Sequence, residues 1–300
     1  MRIAVLLSTY NGEAYLQAQL ESILAQQGDL DLDIHVRDDG SQDGTCAILD
    51  RYAREGKLTW YTGENLRPAK SFLDLVRKCT GYDAYAFCDQ DDVWYPQKLQ
   101  WAAEHLCTHA EPCLYFADAR LVDRTGQSLG RNLYRHRPCY DFYSLVCAPN
   151  VLGCTCVFNE ALARLLSRAE PESLIMHDCY AASVCALFNG SILFDDRVCM
   201  DYRQHGTNVV GASHDPWAAV KDRLRRLVKQ EPVSIARQAQ SLLQGYPEIV
   251  ETDKGVFLRK VACCQDSFFN ALALACSRKF RCASVNMGLT VRLATLLRKR

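Results

Sequence analysis

Four times within its first hundred residues, this chain runs from a short apolar stretch into a polar segment rich in Asp, Asn or Gly. Ile3-Ala4-Val5-Leu6-Leu7 leads into Ser8-Thr9-Tyr10-Asn11-Gly12-Glu13, and Ile34-His35-Val36 leads into Asp38-Asp39-Gly40-Ser41. Leu58-Thr59-Trp60-Tyr61 leads into Gly63-Glu64-Asn65-Leu66-Arg67, and Ala84–Cys88 leads into Asp89-Gln90-Asp91-Asp92. Between these segments Leu16, Leu20, Ile23 and Leu24 fall at helical spacing, and helices are predicted around Ile48, Leu49 and Tyr52 and from Ser71 to Lys78. Short strands alternating with helices predict an α/β fold, a mostly parallel sheet covered by helices on both faces. In such open sheets the ligand crevice lies at the carboxyl ends of the strands, where all four polar segments fall.

The rest of the chain is less regular. A helix after Trp94 leads to a predicted strand at Cys113–Phe116. Residues 118–150 mix polar, aromatic and turn residues and read as loops over the crevice. Leu193-Phe194-Asp195 and Val198-Cys199-Met200 read as two late strands. From Trp217 onward the pattern is helical, with Trp217, Val220, Leu224 and Leu227 on one stripe and Lys221, Arg223, Arg225, Arg226 and Lys229 on the other.

The formal net charge of zero conceals a division: residues 1–215 carry 19 Lys/Arg against 29 Asp/Glu, and residues 216–300 carry 16 against 6. One α/β domain over 1–215 and a basic helical region over 216–300 are therefore expected, the latter with an anionic partner. Residues 278–300 contain no acid and interleave Arg and Lys with Leu289, Leu293, Leu296 and Leu297. That pattern suits a helix on an anionic membrane surface, and equally a basic appendage packed on the domain. No groove-reading module for nucleic acid is present. The sixteen cysteines show neither Cys-x-x-Cys pairs nor zinc-ligand spacing, so they read as small buried hydrophobes in a reducing compartment. With no signal-peptide pattern and no apolar run long enough to span a bilayer, a cytoplasmic protein is expected.

The acid run carries the chemistry. Three carboxylates within four positions repel one another unless a cation lies between them, and oxygen ligands at a strand end suit a hard divalent metal. A single Gly-flanked Asp pair is more often a helix-capping turn. Four such segments in order, at βαβ spacings, are hard to explain as capping.

Taken together, the four segments resemble the inverting family-two glycosyltransferases with the GT-A fold, over roughly residues 3–210. Asp-Gln-Asp-Asp-Val-Trp is most similar to the rhamnosyltransferase-type bacterial members that build surface polysaccharides. The resemblance implies a nucleotide-sugar site lined by Thr9, Tyr10, Asn11, Glu13, Asp38 and Asp39, with Asn65 and Arg67 closing it near base and phosphates. It implies Asp89 facing the sugar or ribose, Asp91 on the metal, and Asp92 supporting the metal shell or the sugar. The metal would be Mn2+ or Mg2+, bridging the two phosphates of the leaving nucleoside diphosphate. Asn150–Thr155 resembles the acceptor-side segment. Asp178 stands where the family carries its catalytic base, although His177 replaces the Glu that often precedes it. Read alone, Asp178 would cap a helix starting near Cys179. Tyr202–Asn208 resembles the closing segment, with Arg203 toward the phosphates and His205 toward the diphosphate or metal.

The implied activity is inverting, metal-dependent transfer of a sugar, L-rhamnose from a dTDP donor or a hexose from a UDP donor, to a glycan or lipid-linked acceptor. Two other readings stay open. A metal-dependent phosphatase with Asp89 as nucleophile leaves the base-pocket segments unexplained. A nucleotide-sugar-binding relative without catalysis is kept open by His177.

Overall fold

The structure, a computed structural model, describes residues 1–148, 150–204 and 234–280, together with 288, 292, 293, 295 and 296. These fall into two compact units: residues 1–137, 151–168 and 176–205, and residues 138–150, 169–175 and 206–300.

The first unit opens with the expected alternation: β1 (Arg2–Thr9), α1 (Leu16–Leu24), β2 (Asp31–Asp38), α2 (Thr45–Arg54), β3 (Thr59–Thr62), α3 (Arg67–Lys78) and β4 (Ala84–Cys88). It continues through β5 (Val93–Trp94), α4 (Lys98–Leu106), β6 (Cys113–Val122) and β7 (Ser128–Asn132). One nine-stranded sheet runs in the order β3-β2-β1-β4-β8-β6-β9-β5, with β7 paired to β6; here β8 is Val157–Asn159 and β9 is Ser191–Arg203. The strands β3, β2, β1 and β4 are mutually parallel. Beyond them β8 is antiparallel to both β4 and β6, and β9 is parallel to β6. The parallel register places Thr9 opposite Asp38, Asp38 opposite Thr62, and Leu7 opposite Cys88. The polar strand ends thus form one edge.

Alternation of side chains along each strand splits the core. Ile3, Val5, Leu7, Ala86 and Tyr115 pack on one face with Leu16, Leu20 and Ile23 of α1, Leu49 of α2 and Leu99 of α4. The opposite face carries Tyr85 and Phe87 of β4, with Phe87 in ring contact with Phe72 of α3 and Phe158 of β8. Each such fully buried side chain contributes roughly 1.5–3 kcal/mol. The helices α6 (Glu160–Arg168) and α7 (His177–Leu187) complete this layer, and every residue of α7 is buried. In α3, Pro68 falls in the first turn, where its missing N–H has no intrahelical partner to lose.

Residues 118–150 are more ordered than a set of loops. β6 extends to Val122, β7 returns antiparallel to it, and α5 (Phe142–Cys147) is capped by Asp141, whose side chain accepts from Tyr143 and Ser144 amides. The two expected late strands are one continuous strand, β9, whose register against β6 shifts near Ala117 and Asp118, the irregularity that hides it in the sequence.

The second unit contains α5 and the helices α8 (Ile235–Gly245), α9 (Asp253–Ala262) and α10 (Phe268–Ala275). Each of the last three begins at a hydroxyl cap: Ser234, Thr252 and Ser267 accept from Arg237, Gly255 and Asn270 amides. Leu242, Phe257, Leu258, Val261 and Leu274 form its interior. No helix among the described residues is long and apolar enough to cross a membrane. The basic stripe at Trp217–Lys229 lies outside the described residues, as does most of 278–300.

Candidate active site

At the ends of β1 and β2, Thr9 and Asp38 meet: Thr9 Oγ1 donates to Asp38 Oδ1 at 2.9 Å in a buried contact. Asp38 also accepts from the Gly40 and Ser41 amides and the Ser41 hydroxyl, so it holds the turn that leads to α2. Gly40 there has φ +86°, a conformation glycine adopts without a Cβ penalty. Asp39 lies beside it, buried and ion-paired with Arg37. The Arg37 guanidinium further donates to Asp74 Oδ2 at 3.0 Å and to the Glu64 carbonyl at 2.9 Å. It therefore ties Asp39 to α3 and to the loop after β3.

Around this pair the remaining expected nucleotide residues are more exposed. The amide of Asn11 donates to Ser41 Oγ and its Oδ1 accepts from the Gln42 amide, with its own backbone at φ +48°. Glu13 accepts from the Gly44 amide at 2.9 Å. Tyr10 is 48% exposed. Its backbone is clamped by Gln90, whose Oε1 accepts from Tyr10 N at 2.9 Å and whose Nε2 donates to Tyr10 O at 3.1 Å. Asn65 and Arg67 are exposed at the start of α3, the Arg67 amide donating to Asn65 Oδ1 while Arg67 holds φ +62°.

The acid run follows β4. Asp89, Asp92 and Cys154 each place one donor atom so that all lie within 4.8 Å of one another. Cys154 comes from a 3-10 turn at Gly153–Thr155. Dense surroundings, then Asp91, then Asp178 raise the Asp89 carboxyl above its ordinary value, although Asp89 keeps some solvent contact. Burial, then Asp91 and Asp89, push Asp92 up as well. Carboxylates that repel one another this strongly bind a cation favourably, so two carboxylates with a thiol beside them fit a divalent ion. Asp91 acts on both neighbours electrostatically but is not one of the three convergent donors. Arg203 accounts for the shape of the loop: its amide donates to Asp92 Oδ1 at 3.0 Å and its Nε to the Asp91 carbonyl at 2.8 Å. His205, expected on the metal, lies outside the described residues.

Asp178 is buried in the first turn of α7. The helix begins one residue before it with Met176 as cap residue, so Asp178 does not occupy the cap position that its sequence context suggests. Its Oδ2 accepts from the Gly153 amide at 2.7 Å and its Oδ1 from the Cys179 amide at 2.6 Å. A Cβ on Gly153 would run into the His177 ring and the Asp178 carboxylate, so only glycine permits this approach. His177 stacks on Phe72 at 3.9 Å and meets Phe87 edge-on. Neither ring nitrogen has a hydrogen-bond partner, and burial lowers its pKa to about 4, keeping the ring neutral. The Asp178 charge is among the causes that raise the Asp89 carboxyl, so the acid run and the acceptor-side turn lie within electrostatic reach of each other.

Sequence reasoning overlooked Arg37, Gln90, Lys98 and Cys154. Arg37, between Val36 and Asp38, and Lys98, between Gln97 and Leu99, each have one polar neighbour, so local pattern did not mark them as buried. Gln90 sits between two expected site residues. Cys154 carries no such mark.

The sequence model of glycosyl transferase family 2 matches residues 4–163. The dTDP-rhamnosyl transferase RfbG of Shigella flexneri is 29% identical over 231 residues, 69% of this chain and 74% of that protein. An uncharacterized glycosyltransferase of Nostoc sp. is 34% identical over 106 residues, 35% of this chain and 32% of the relative's length. Residues 1–349 of S. aureus TarS, solved in complex with UDP-GlcNAc, match with a TM-score of 0.59 at 18% identity, covering 99% of this chain and 88% of that one. At this identity the likeness is one of fold.

Proposed function

The chain belongs to glycosyl transferase family 2, and from that premise we propose that it transfers a sugar, L-rhamnose from a dTDP donor, to a glycan or lipid-linked acceptor with inversion at the anomeric carbon. The observation that carries this reading is the meeting of two acidic groups: the strand-end carboxylates Asp89 and Asp92, and Asp178 held on the Gly153 turn. The likeness to a dTDP-rhamnosyl transferase over 231 residues supports rhamnose as the sugar. UDP-hexose donors suit the same strand-end residues.

In this reading Thr9, Asp38 and Asp39 form the polar floor for the nucleoside, with Tyr10, Asn11 and Glu13 at its rim and Asn65 and Arg67 on the β3–α3 side. Asp89 and Asp92, with Cys154 beside them, would hold Mn2+ or Mg2+, and Asp91 and His205 are the ligands that the family resemblance adds. The ion, when bound, offsets charge on the departing nucleoside diphosphate. Arg203 keeps the Asp91–Asp92 backbone in shape and adds positive charge beside the phosphates. Asp178 takes the proton of the acceptor hydroxyl as that oxygen attacks the anomeric carbon. Each of its oxygens accepts one amide hydrogen bond and retains a further lone pair for that proton. One displacement breaks the bond to the diphosphate as the new glycosidic bond forms, so no covalent enzyme intermediate is involved.

Catalysis is assigned to residues 1–215, of which 138–150 and 169–175 group with the second compact unit, and the basic region 216–300 serves attachment to the inner membrane face, where lipid-linked acceptors meet a cytoplasmic donor. Residues 278–300 supply the charge. Phe268, Phe269 and Leu272, exposed on α10, supply apolar surface in the same unit. The decisive experiment is incubation of the full chain with Mn2+ and a panel of dTDP- and UDP-sugars, read by released nucleoside diphosphate and by NMR of the product. Transfer from dTDP-rhamnose with an anomeric configuration opposite to the donor's is the expected result, and chelation should remove it. Retained configuration, or full activity in excess chelator, would refute the mechanism.

A further inference from the structure

The loop between β1 and α1 is held from two sides. On one side it is bonded to the loop after β2: the Asn11 amide donates to Ser41 Oγ at 2.8 Å, the Gly12 amide to Thr45 Oγ1 at 2.8 Å, and the Glu13 amide to Asp43 Oδ2 at 3.1 Å. On the other side it meets Gln90, the residue between Asp89 and Asp91. Gln90 Oε1 accepts from the Tyr10 amide at 2.9 Å and its Nε2 donates to the Tyr10 carbonyl at 3.1 Å. One side-chain amide thus engages both backbone groups of a residue eighty positions away, as a neighbouring strand would. Gly12 makes room for it. A Cβ at Gly12 would run into the Gln90 carboxamide, and the Gly12 backbone is not in the left-handed region, so the glycine answers to Gln90 and not to its own conformation.

We propose that Gln90 is a positioning residue that couples the two ends of the donor site. It fixes the loop that carries Tyr10, Asn11 and Glu13, the nucleoside rim, against the acid run that takes the cation and the diphosphate. A nucleoside diphosphate gripped at both ends gains from the second grip only when the spacing of the two is set before it binds. Gln90 sets that spacing through the Tyr10 backbone and without touching the ligand. This inference rests on the reading of the strand ends as a nucleotide-sugar site.

The test uses the full chain and compares a whole ligand with its parts. The parts are thymidine and uridine without metal, followed by NMR titration, and Mn2+ alone, followed by calorimetry. The whole is dTDP or UDP with Mn2+, also followed by calorimetry. Gln90→Met keeps the length of the side chain and removes both hydrogen bonds to Tyr10. It should weaken binding of the diphosphate with Mn2+ by about tenfold or more, while the nucleosides and Mn2+ alone keep their wild-type affinities. Gly12→Ala leaves Gln90 in the chain but displaces its carboxamide, and it should reproduce the same split. A nucleoside affinity that falls as far as that of the diphosphate would make Gln90 a direct contact. A fall in the affinity for Mn2+ alone would make it part of the metal shell. Unchanged binding of the diphosphate in either variant would leave a loop clamp with no part in binding. Each of these results would overturn the proposal. A wild-type chain that binds neither diphosphate would instead remove the nucleotide reading on which it rests.

Discussion

Asp178 and His177 are sequence neighbours with opposite demands. Two backbone amides fix the Asp178 side chain, Gly153 on one oxygen and Cys179 on the other, where the proposed role as base needs it. Asp178→Asn keeps a side chain of the same shape at the start of α7 but cannot take a proton. The expected loss in kcat is about 10²–10⁴-fold with little change in KM, measured by steady-state transfer. Near-normal kcat would move the base elsewhere. His177 is held neutral by burial, its pKa lowered to about 4 from 6.5. The unfolded chain takes up that proton near pH 6.5, and the folded chain does so only near pH 4. The His177 contribution is therefore fully present above about pH 6.5 and is lost as pH falls toward 4, by on the order of 3 kcal/mol. Urea unfolding at pH 7 and pH 5 reads this directly. His177→Phe, which keeps an aromatic ring on Phe72, should flatten the slope, and identical pH profiles for the two proteins would assign the effect to other groups.

Among elements, the short turn Gly153–Thr155 joins the two halves of the site. One of its amides holds Asp178, and one of its carbonyls receives Lys98. Its glycine is required by close approach, since the backbone φ is not in the left-handed region there. Gly153→Ala should push the His177 ring and the Asp178 carboxylate apart. Overpacking of this kind costs about 1–3 kcal/mol, and kcat should fall together with stability. Denaturant melts and transfer rates on the same sample check both, and an alanine variant with unchanged kcat would separate the turn from the base. In the second unit, α10 exposes Phe268 and Phe269.

For the whole molecule, the charge division between residues 1–215 and 216–300 is the feature with a measurable consequence. Removing residues 285–300 should leave turnover on a soluble acceptor intact and reduce co-sedimentation with anionic vesicles. The difference should shrink as salt rises, because a Debye length near 10 Å at 0.1 M screens surface attraction. Equal sedimentation of the two chains at low salt would leave packing as the explanation of the basic tail.

The parallel part of the sheet was legible in the sequence because each strand there is a short apolar run that ends in its own polar segment and alternates with a helix. The strand-end segments that contain Thr9, Asp38 and the acid run could be found by their spacing, whereas the roles given to Thr9 and Asp38 came from the family resemblance. Chemistry that depends on contacts between distant residues was not legible. β9 read as two strands, since the irregular register against β6 is set by pairing across some eighty residues and not by local pattern. That Asp39 is held by Arg37, that Cys154 reaches Asp89 and Asp92, and that Lys98 is buried against the Cys154 carbonyl are contacts between residues distant in sequence. Local sequence sets strand and helix propensity within a few residues. Desolvation and charge balance are summed over everything within several ångströms, so only the tertiary structure decides which carboxylates lie close enough to share a cation.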